Sequence, residues 1–535
     1  MFNQVLDPLH SAGTTAIVAL VPVILLLVLL AVFRMTAWLA SLIGAAATLG
    51  LALLVWHVPL GNALKACLYG IATGVWAVDW ITFWGVMIFN TLVLTGIFDD
   101  FQKWLIANAT ADVRVQTILL AWAFGALLEG LVGFGYPWAV VAPLLIALGI
   151  SDLDAIRVAA IANNAPVSFG GLGVPIIALA AVTGLPLMAL SASIGKIVAL
   201  LALVPPWVLI YLVAGKRGLR GVWPLAVVGS FAYIAGQFPV SQYLGPYLPD
   251  ISGSIVCFVA LLVLLHFWKP AETLGYGGVP VPETPANQVK GHGLSRRRVL
   301  TVWAPFFLLV MVVVLWTGPW SALPGITLTS FKVVGISSLT HKLIDASFAF
   351  KPFTGGTAIM FSWALILSML RPGKALLKEV FRRTAGQMWG ALLVGAFVFA
   401  LAYIFNYSGM AASLAYAFSK LGLWFIVVAP ILGWIGVALS GSNTSTNAMF
   451  GAFQAMVGNL LGFPPLLAPS LNSVGAEVGK PIAPQTASVG VATTGYVRNE
   501  GEVIRHNMGW TLVLLAYLML IGLFYYFVLP HTMMR

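Results

Sequence analysis

A handful of residues in this chain could do chemistry, and most lie in apolar surroundings. Glu129 closes the run AFGALLEG and is followed by glycines at 130, 133 and 135 and prolines at 137, 143, 166 and 175. A carboxylate so placed is costly unless protonated or paired. Its chemistry is either that of a proton carrier or that of a charge anchoring the N-terminus of a broken helix. Glu477 and Lys480, three apart in AEVGKP, would neutralise one another on one helical face. Lys480 is alternatively a cation for a ligand's carboxylate. Ser442, Asn443, Thr444, Ser445, Thr446 and Asn447, in GSNTSTN, gather hydroxyls and amides in an apolar setting. They can bind a hydroxyl group or a cation, or re-satisfy backbone around a kink. Asp79, in GVWAVDWITFWG, is a further acid, ranked lower because its aromatic neighbours suit a membrane interface. His57, beside Pro59, reads as a solvated loop residue. The histidines are scattered and neither H-E-x-x-H nor G-x-S-x-G occurs, so no catalytic constellation stands out.

Composition says what solvent holds these groups. With 60% hydrophobic and 8% charged residues and a mean hydropathy of +0.99, the chain lies far from the globular range, where about a quarter of residues are charged. Runs such as Thr14–Phe33, Met188–Ala214, Val299–Trp316 and Met508–Leu529 suit a hydrocarbon core about 30 Å thick. Backbone groups in lipid must be satisfied within the segment, so the spans are helical; about 12 to 14 are expected, broken ones included. The net charge of +11 could suggest nucleic acid, but its distribution excludes that. Most Lys and Arg gather in short loops, at Lys103 and Arg114, Lys216–Arg220, Lys269–Arg298, Arg371–Arg383, and Arg498 and Arg505. That pattern puts those loops in the cytoplasm and both ends outside. Met1–Gly13 lacks a basic segment, which speaks against a cleaved signal peptide. Cys67 and Cys257 both sit in apolar segments and imply no disulfide framework.

The chain divides into a first half, 1–268, a Pro- and Gly-rich linker, 269–298, read as solvated and cytoplasmic, and a second half, 299–535. A second interruption, Thr317–Phe353, falls outside and reads as a surface helix or a lid. The halves share a motif. Ile435–Gly441 aligns with Phe124–Gly130 at an offset of 311, Gly479-Lys480-Pro481 with Gly173-Val174-Pro175 at 306, and Thr494-Gly495 with Thr183-Gly184 at 311. Three matches in order suggest a duplication of 124–184 in 435–495. Paired interrupted segments in two halves point to a secondary transporter's binding site. The loop assignment enters the copies from opposite sides, so they are expected to be inverted.

EGLVGFGYP at 129–137, NNAPVSFGGLGVP at 163–175, NYSG at 406–409, GWIGVALSGSNTSTNA at 433–448 and GKPIAPQ at 479–485 together resemble the L-lactate permease family of bacterial 2-hydroxy-monocarboxylate/proton symporters. GPYLPDI at 245–251 extends the likeness. The resemblance implies an all-α polytopic protein of the bacterial cytoplasmic membrane, with two inverted repeats, paired re-entrant hairpins and broken helices. It implies uptake of L-lactate, D-lactate or glycolate with a proton, and no cofactor or metal. Proton coupling is assigned to Glu129 and Glu477. Substrate contacts are expected at Gly133 and Gly135; Asn163, Asn164 and Ser168; Asn406; Ser442, Asn443, Thr444 and Asn447; Lys480 and Gln485, all within these motifs, and at Asn472 and Ser473 between them. The chain departs from the family pattern at Asn443, usually Asp, and at Asn90, often Lys, and it adds Glu477 and Asp79. A sodium-coupled carboxylate transporter, with the SNT cluster as an oxygen cage, is the alternative, and a membrane enzyme a distant one.

Overall fold

A computed structural model describes residues 2–108, 110–133, 135–281, 295–339, 341, 343–492 and 499–534. Long uncharged runs of Leu, Val, Ala and Ile leave the backbone no partner but itself, and they close into helices. The first group is α1 (Ala12–Ala31), α2 (Ala37–Leu54), α3 (Leu60–Thr73), α4 (Trp80–Leu94) and α5 (Ile97–Asn108). Next come α6 (Val113–Thr117), α7 (Gly125–Leu131), α8 (Tyr136–Ala147), α9 (Asp152–Ala162) and α10 (Gly170–Thr183). They are followed by α11 (Leu187–Leu201), α12 (Pro205–Leu219), α13 (Trp223–Tyr243) and α14 (Pro249–Phe267). The rest comprises α15 (Arg296–Thr317), α16 (Gly355–Leu370), α17 (Lys374–Ser408), α18 (Met410–Ser419), α19 (Phe425–Ser440), α20 (Asn443–Leu460), α21 (Leu467–Gly479), α22 (Pro484–Ala492) and α23 (Glu500–Phe527).

Among the described residues, ten helices are long and apolar enough to cross a membrane, or eleven with the bent pair α9–α10 counted as one span. That is fewer than the about 12 to 14 expected from hydropathy. Part of the difference is made of shorter apolar helices in the regions of α8, α16 and α18. The long α17 packs against α2, α3 and α4, while α19, α20 and α21 pack on one another and α20 also lies against α10. α17, α10 and the start of α20 all contribute to the lining of the interior cavity described below.

A three-stranded sheet departs from the all-α expectation. β1 (Phe2–Asn3) runs parallel to β2 (Thr329–Ile336), which pairs antiparallel with β3 (Leu343–Phe350), Thr329 opposite Phe350 and Ile336 opposite Leu343. Thr317–Phe353 is therefore largely a β-hairpin rather than a surface helix. Its β-favouring Phe331, Val333 and Phe348 alternate along the strands, and Phe331 and Phe348 pack edge-on against Tyr69 of α3. Gln4 Nε2, next to β1, donates to the carbonyls of Asn406 and Tyr407 at 2.9 and 3.0 Å. This pairing joins the N-terminal segment to the 317–353 segment.

At another place the basic loops meet. Arg114, buried, pairs with Asp112 at 2.6 Å and donates to the carbonyls of Glu272 and Gly218 at 2.7 and 3.2 Å. Arg217 pairs with Glu272 at 2.7 Å, and Arg298 with Asp100. Leu274, 1% exposed, exchanges backbone bonds with this corner: Val113 N donates to its carbonyl at 2.9 Å and its own N–H donates to Asp112 at 3.1 Å. The start of the 269–298 segment is thus docked, not solvated, because it satisfies the buried end of α6. Residues 282–294 of that linker, and Thr494-Gly495 and Arg498, lie outside the described residues.

Candidate functional site

Two helix-break-helix units build the interior site. In the first, α7 ends at Leu131 and the chain turns into α8, whose N-cap Gly135 has a φ of 78° and is followed by Pro137. Proline at a first turn loses no helical bond. α9 stops at Ala162, and the short turn Val167–Phe169 leads into α10 across a 69° bend. Within α10, Gly173 has a φ of 78°, and a Cβ there would come within 2.3 Å of the Pro246 carbonyl. Only glycine fits that backbone and that approach. In the second unit, α19 ends at Ser440 and Gly441, and Ser442 opens α20 as N-cap, its Oγ accepting from Ser445 N at 3.2 Å. α21 stops at Gly479, and the turn Lys480–Ile482 leads to α22.

The two breaks meet in one buried ion pair. Lys480 Nζ donates to Glu129 Oε1 at 2.7 Å, with Lys480 6% and Glu129 1% exposed. Asn163 Nδ2 donates to the other carboxylate oxygen at 3.0 Å. Glu129 therefore pairs across the two units, and Lys480 does not neutralise Glu477 as the spacing suggested. Glu129 lies towards the C-terminal end of α7, and its carboxylate reaches the first residue of α10, where a Cβ on Gly170 would come within 2.6 Å of Oε1. An ammonium has three donors, and among the described residues Glu129 is the one hydrogen-bond acceptor of Lys480.

The pair sits on the wall of a cavity of about 370 Å³. Gly133, Ser442, Asn443, Thr444 and Gln485, all expected site residues, share this wall. Gln485 lies against the bend of the second unit: a Cβ on Gly441 would come within 2.5 Å of its Oε1. The start of α20 brings backbone N–H groups and the positive end of a helix dipole to the same cavity.

Other expected residues form a layer behind the cavity wall. Ser168 N donates to Glu477 Oε1, and Ser168 Oγ lies 2.9 Å from Ser473 Oγ. Asn443 Nδ2 donates to Ser168 Oγ at 3.4 Å. Asn447 Nδ2 donates to Ser473 Oγ and to the Pro175 carbonyl, both at 3.0 Å, and Asn472 Nδ2 donates to Asn447 Oδ1 at 3.0 Å. Gln454, which the sequence reading passed over, closes the chain by donating to Asn472 Oδ1 at 3.0 Å. This network ties the break of α9–α10 to α20 and α21. Glu477 thereby caps the turn at Ser168 rather than lining the cavity.

Three expected residues stand apart. Gly135 faces Thr486 and Val489 at the start of α8. Asn164 is fully buried near the break. Asn406 belongs to the far end of α17, where its carbonyl accepts from Gln4 beside the sheet, and it does not line the cavity. The sequence motif brought it forward, but α17 carries it away.

Two acids gain importance. Asp79 is buried, 4% exposed, and lines the same cavity as the Glu129–Lys480 pair. Asp250, in the GPYLPDI segment, is fully buried and accepts from Tyr233 OH at 2.9 Å. A Cβ on Gly130, the neighbour of Glu129, would come within 2.7 Å of Asp250 Cβ. An acid straight after proline at the head of an apolar span was the signal that could have found it.

With this geometry in hand, a family model described as L-lactate permease matches residues 15–529. The chain belongs to the L-lactate permease family. It is 34% identical over 539 residues to the glycolate permease GlcA of Escherichia coli K12, covering 96% of each chain. The L-lactate permeases of Escherichia coli K12 and Bacillus subtilis are 31% and 32% identical, covering 96% and 94% of each chain. Its fold is similar to that of the YdaH transporter of Alcanivorax borkumensis, with a TM-score of 0.52 at 16% identity, covering 93% of this chain and 99% of that one. The chain is accordingly a multi-pass permease of the bacterial cytoplasmic membrane, not an enzyme.

Proposed function

We propose that this chain imports a small 2-hydroxy monocarboxylate, L-lactate, D-lactate or glycolate, together with a proton. The reading is supported above all by the buried Glu129–Lys480 pair on the cavity wall. Without substrate, each charge neutralises the other. An incoming carboxylate competes for Lys480 and for the N–H groups at the start of α20. Once Lys480 turns to the substrate, Glu129 has lost its counter-charge in a low-dielectric setting and accepts a proton, with Asn163 holding its geometry. The substrate hydroxyl is met by the amides and hydroxyls of Asn443, Thr444 and Gln485. Release of substrate lets Lys480 return to Glu129 and expel the proton, so neither species crosses alone.

The same reading divides the chain into halves 1–268 and 299–535, joined by 269–298, with the two units inverted relative to one another and Glu477 and the polar layer keeping them in register. One monoanion with one proton is electroneutral. The membrane potential, worth about 2.3 kcal/mol per charge per 100 mV, then gives no net drive, and the pH gradient does. Proteoliposomes loaded at higher pH than the bath should accumulate labelled glycolate or L-lactate, with sodium or choline outside and at any imposed potential. Accumulation that follows the potential at fixed pH gradient, or that requires sodium, would overturn the symport.

A further inference from the structure

Away from the central cavity, a second pocket opens where α9 meets α23. It is lined by Arg157, Arg505, His506, Gly509, Trp510 and Val513. Three of these six side chains can carry a positive charge. Among the described residues the acid they touch is Asp154, and it is already engaged: it accepts from Tyr276 OH, lies 2.9 Å from His506 Nε2 and pairs with Arg157 at 3.4 Å. Arg157 also donates to the His506 carbonyl at 3.0 Å, but its Nε is buried and has no hydrogen-bond partner among the described residues. Arg505 makes neither a hydrogen bond nor an ion pair among them. Two guanidinium groups thus border the pocket with donors to spare.

The other half of the pocket is apolar. Arg505, Gly509 and Val513 follow at intervals of four along α23 and form one row on its surface. The glycine leaves a notch in that row, since a Cβ there would meet nothing within 4 Å. Val513 is 55% exposed, and Trp510 packs on Tyr211 of α12 with ring centres 5.9 Å apart. From Asn507 to Pro530 no Asp, Glu, Lys or Arg occurs, so the row runs from the last charges of the helix into its apolar part. Tryptophan and tyrosine favour this boundary, where headgroups meet acyl chains. We propose that the pocket binds one anionic phospholipid, its phosphate on Arg505 and Arg157 and an acyl chain in the Gly509 notch beside Trp510 and Val513. A guanidinium matches two phosphate oxygens at once, and basic pockets beside spanning helices suit anionic headgroups. A soluble phosphate would leave the apolar half unused. The pocket also touches elements of both units. Arg157 lies on α9, which ends at Asn163, and α23 reaches the second unit through Asn507 Nδ2, which donates to the Pro481 carbonyl at 2.8 Å. A lipid bridging Arg157 and Arg505 ties α9 to α23 and steadies both.

The test is retention of lipid by the purified full-length protein in neutral detergent. Native mass spectrometry follows titration with phosphatidylglycerol or phosphatidylcholine of matched chains, with and without an excess of inorganic phosphate. It compares wild type with Arg505→Gln and Gly509→Leu. Both positions are exposed, and Gly509 faces open space, so both variants should elute as wild type does in size-exclusion chromatography. Wild type should retain one phosphatidylglycerol about tenfold to thirtyfold more tightly than phosphatidylcholine, the effect of two basic residues beside an anionic headgroup. Arg505→Gln should weaken phosphatidylglycerol about fivefold, and Gly509→Leu should weaken it at least as much by filling the notch. Added phosphatidylglycerol should raise the thermal unfolding midpoint of wild type more than that of either variant. Equal retention of the two lipids by wild type, phosphatidylglycerol retention unchanged in either variant, or an equal rise in midpoint for all three proteins overturns the proposal. Displacement of phosphatidylglycerol by inorganic phosphate assigns the pocket to a free anion and overturns the lipid. None of these outcomes depends on which acid is transported.

Discussion

Replacing Glu129 by Gln separates binding from coupling, because the structure gives the carboxylate two opposed effects. In the wild type it occupies Lys480 at 2.7 Å, and a substrate carboxylate must displace it. A hydrogen bond to a charged group is worth about 1.5–3 kcal/mol net. Removing that internal competitor should therefore tighten substrate binding by about tenfold to a hundredfold, at about 1.4 kcal/mol per decade. The glutamine keeps the shape and its carbonyl can still accept from Asn163, so the fold is not asked to fill a hole. Coupling moves the other way. A gradient of one pH unit is worth about 1.4 kcal/mol and supports a tenfold accumulation by a one-to-one symporter. Glu129→Gln, with no group to carry the proton, should bring the steady-state ratio to one while labelled and unlabelled substrate still exchange. The assay is paired: equilibrium binding of labelled glycolate in detergent, then accumulation and counterflow in proteoliposomes. A variant that binds more weakly than wild type and still accumulates about tenfold per pH unit would refute both the competition and the carrier role.

Other perturbations follow from the same geometry. Lys480→Met should abolish measurable glycolate binding, whereas the double variant Glu129→Gln, Lys480→Met should recover much of the thermal stability lost by either single change. Breaking a buried pair by removing one partner costs about 3–5 kcal/mol, while replacing both with neutral groups of similar size is often near neutral; unfolding followed by tryptophan fluorescence in detergent reads this, and a double variant less stable than both singles contradicts it. Gly173→Ala must place a methyl 2.3 Å from the Pro246 carbonyl at a φ of 78°; the monodisperse peak in size-exclusion chromatography should shrink sharply, and normal yield with normal uptake would show that the α10 break is not rigid. Asn406→Ala, away from the cavity, should leave the KM for glycolate unchanged in uptake assays, and a large rise in KM would return this residue to the site.

How much of this was legible in the sequence depends on distance along the chain. The interrupted segments were readable because glycine and proline mark breaks locally: Gly133, Gly135, Pro137, Gly173 and Gly441 all fall at or beside turns. The cluster at 442–447 was readable because Ser442 and its neighbours are out of place in hydrocarbon, and it proved to be the head of α20. The partner of Glu129 was not readable, since Lys480 lies 351 residues on and the nearer Glu477 offered a competing helical spacing. The contest between those acids is decided by the turn at Lys480–Ile482, which ends the helix carrying Glu477. Glu477 then remains on α21 to accept from Ser168, and Lys480 is left to cross between the units. Asp79 was misplaced for a related reason. Tryptophans at 76, 80 and 84 suggest a membrane interface in one dimension, but in three they pack on one another, Trp76 stacked on Trp80 at 5.1 Å and Trp80 edge to face with Trp84 at 5.4 Å. Trp76 and Trp80 also donate to Lys351 O and Thr357 Oγ1. Trp76 and Trp80 thus spend their polar edges on the segment around the hairpin, and the acid between them lies over Gly395 and lines the cavity.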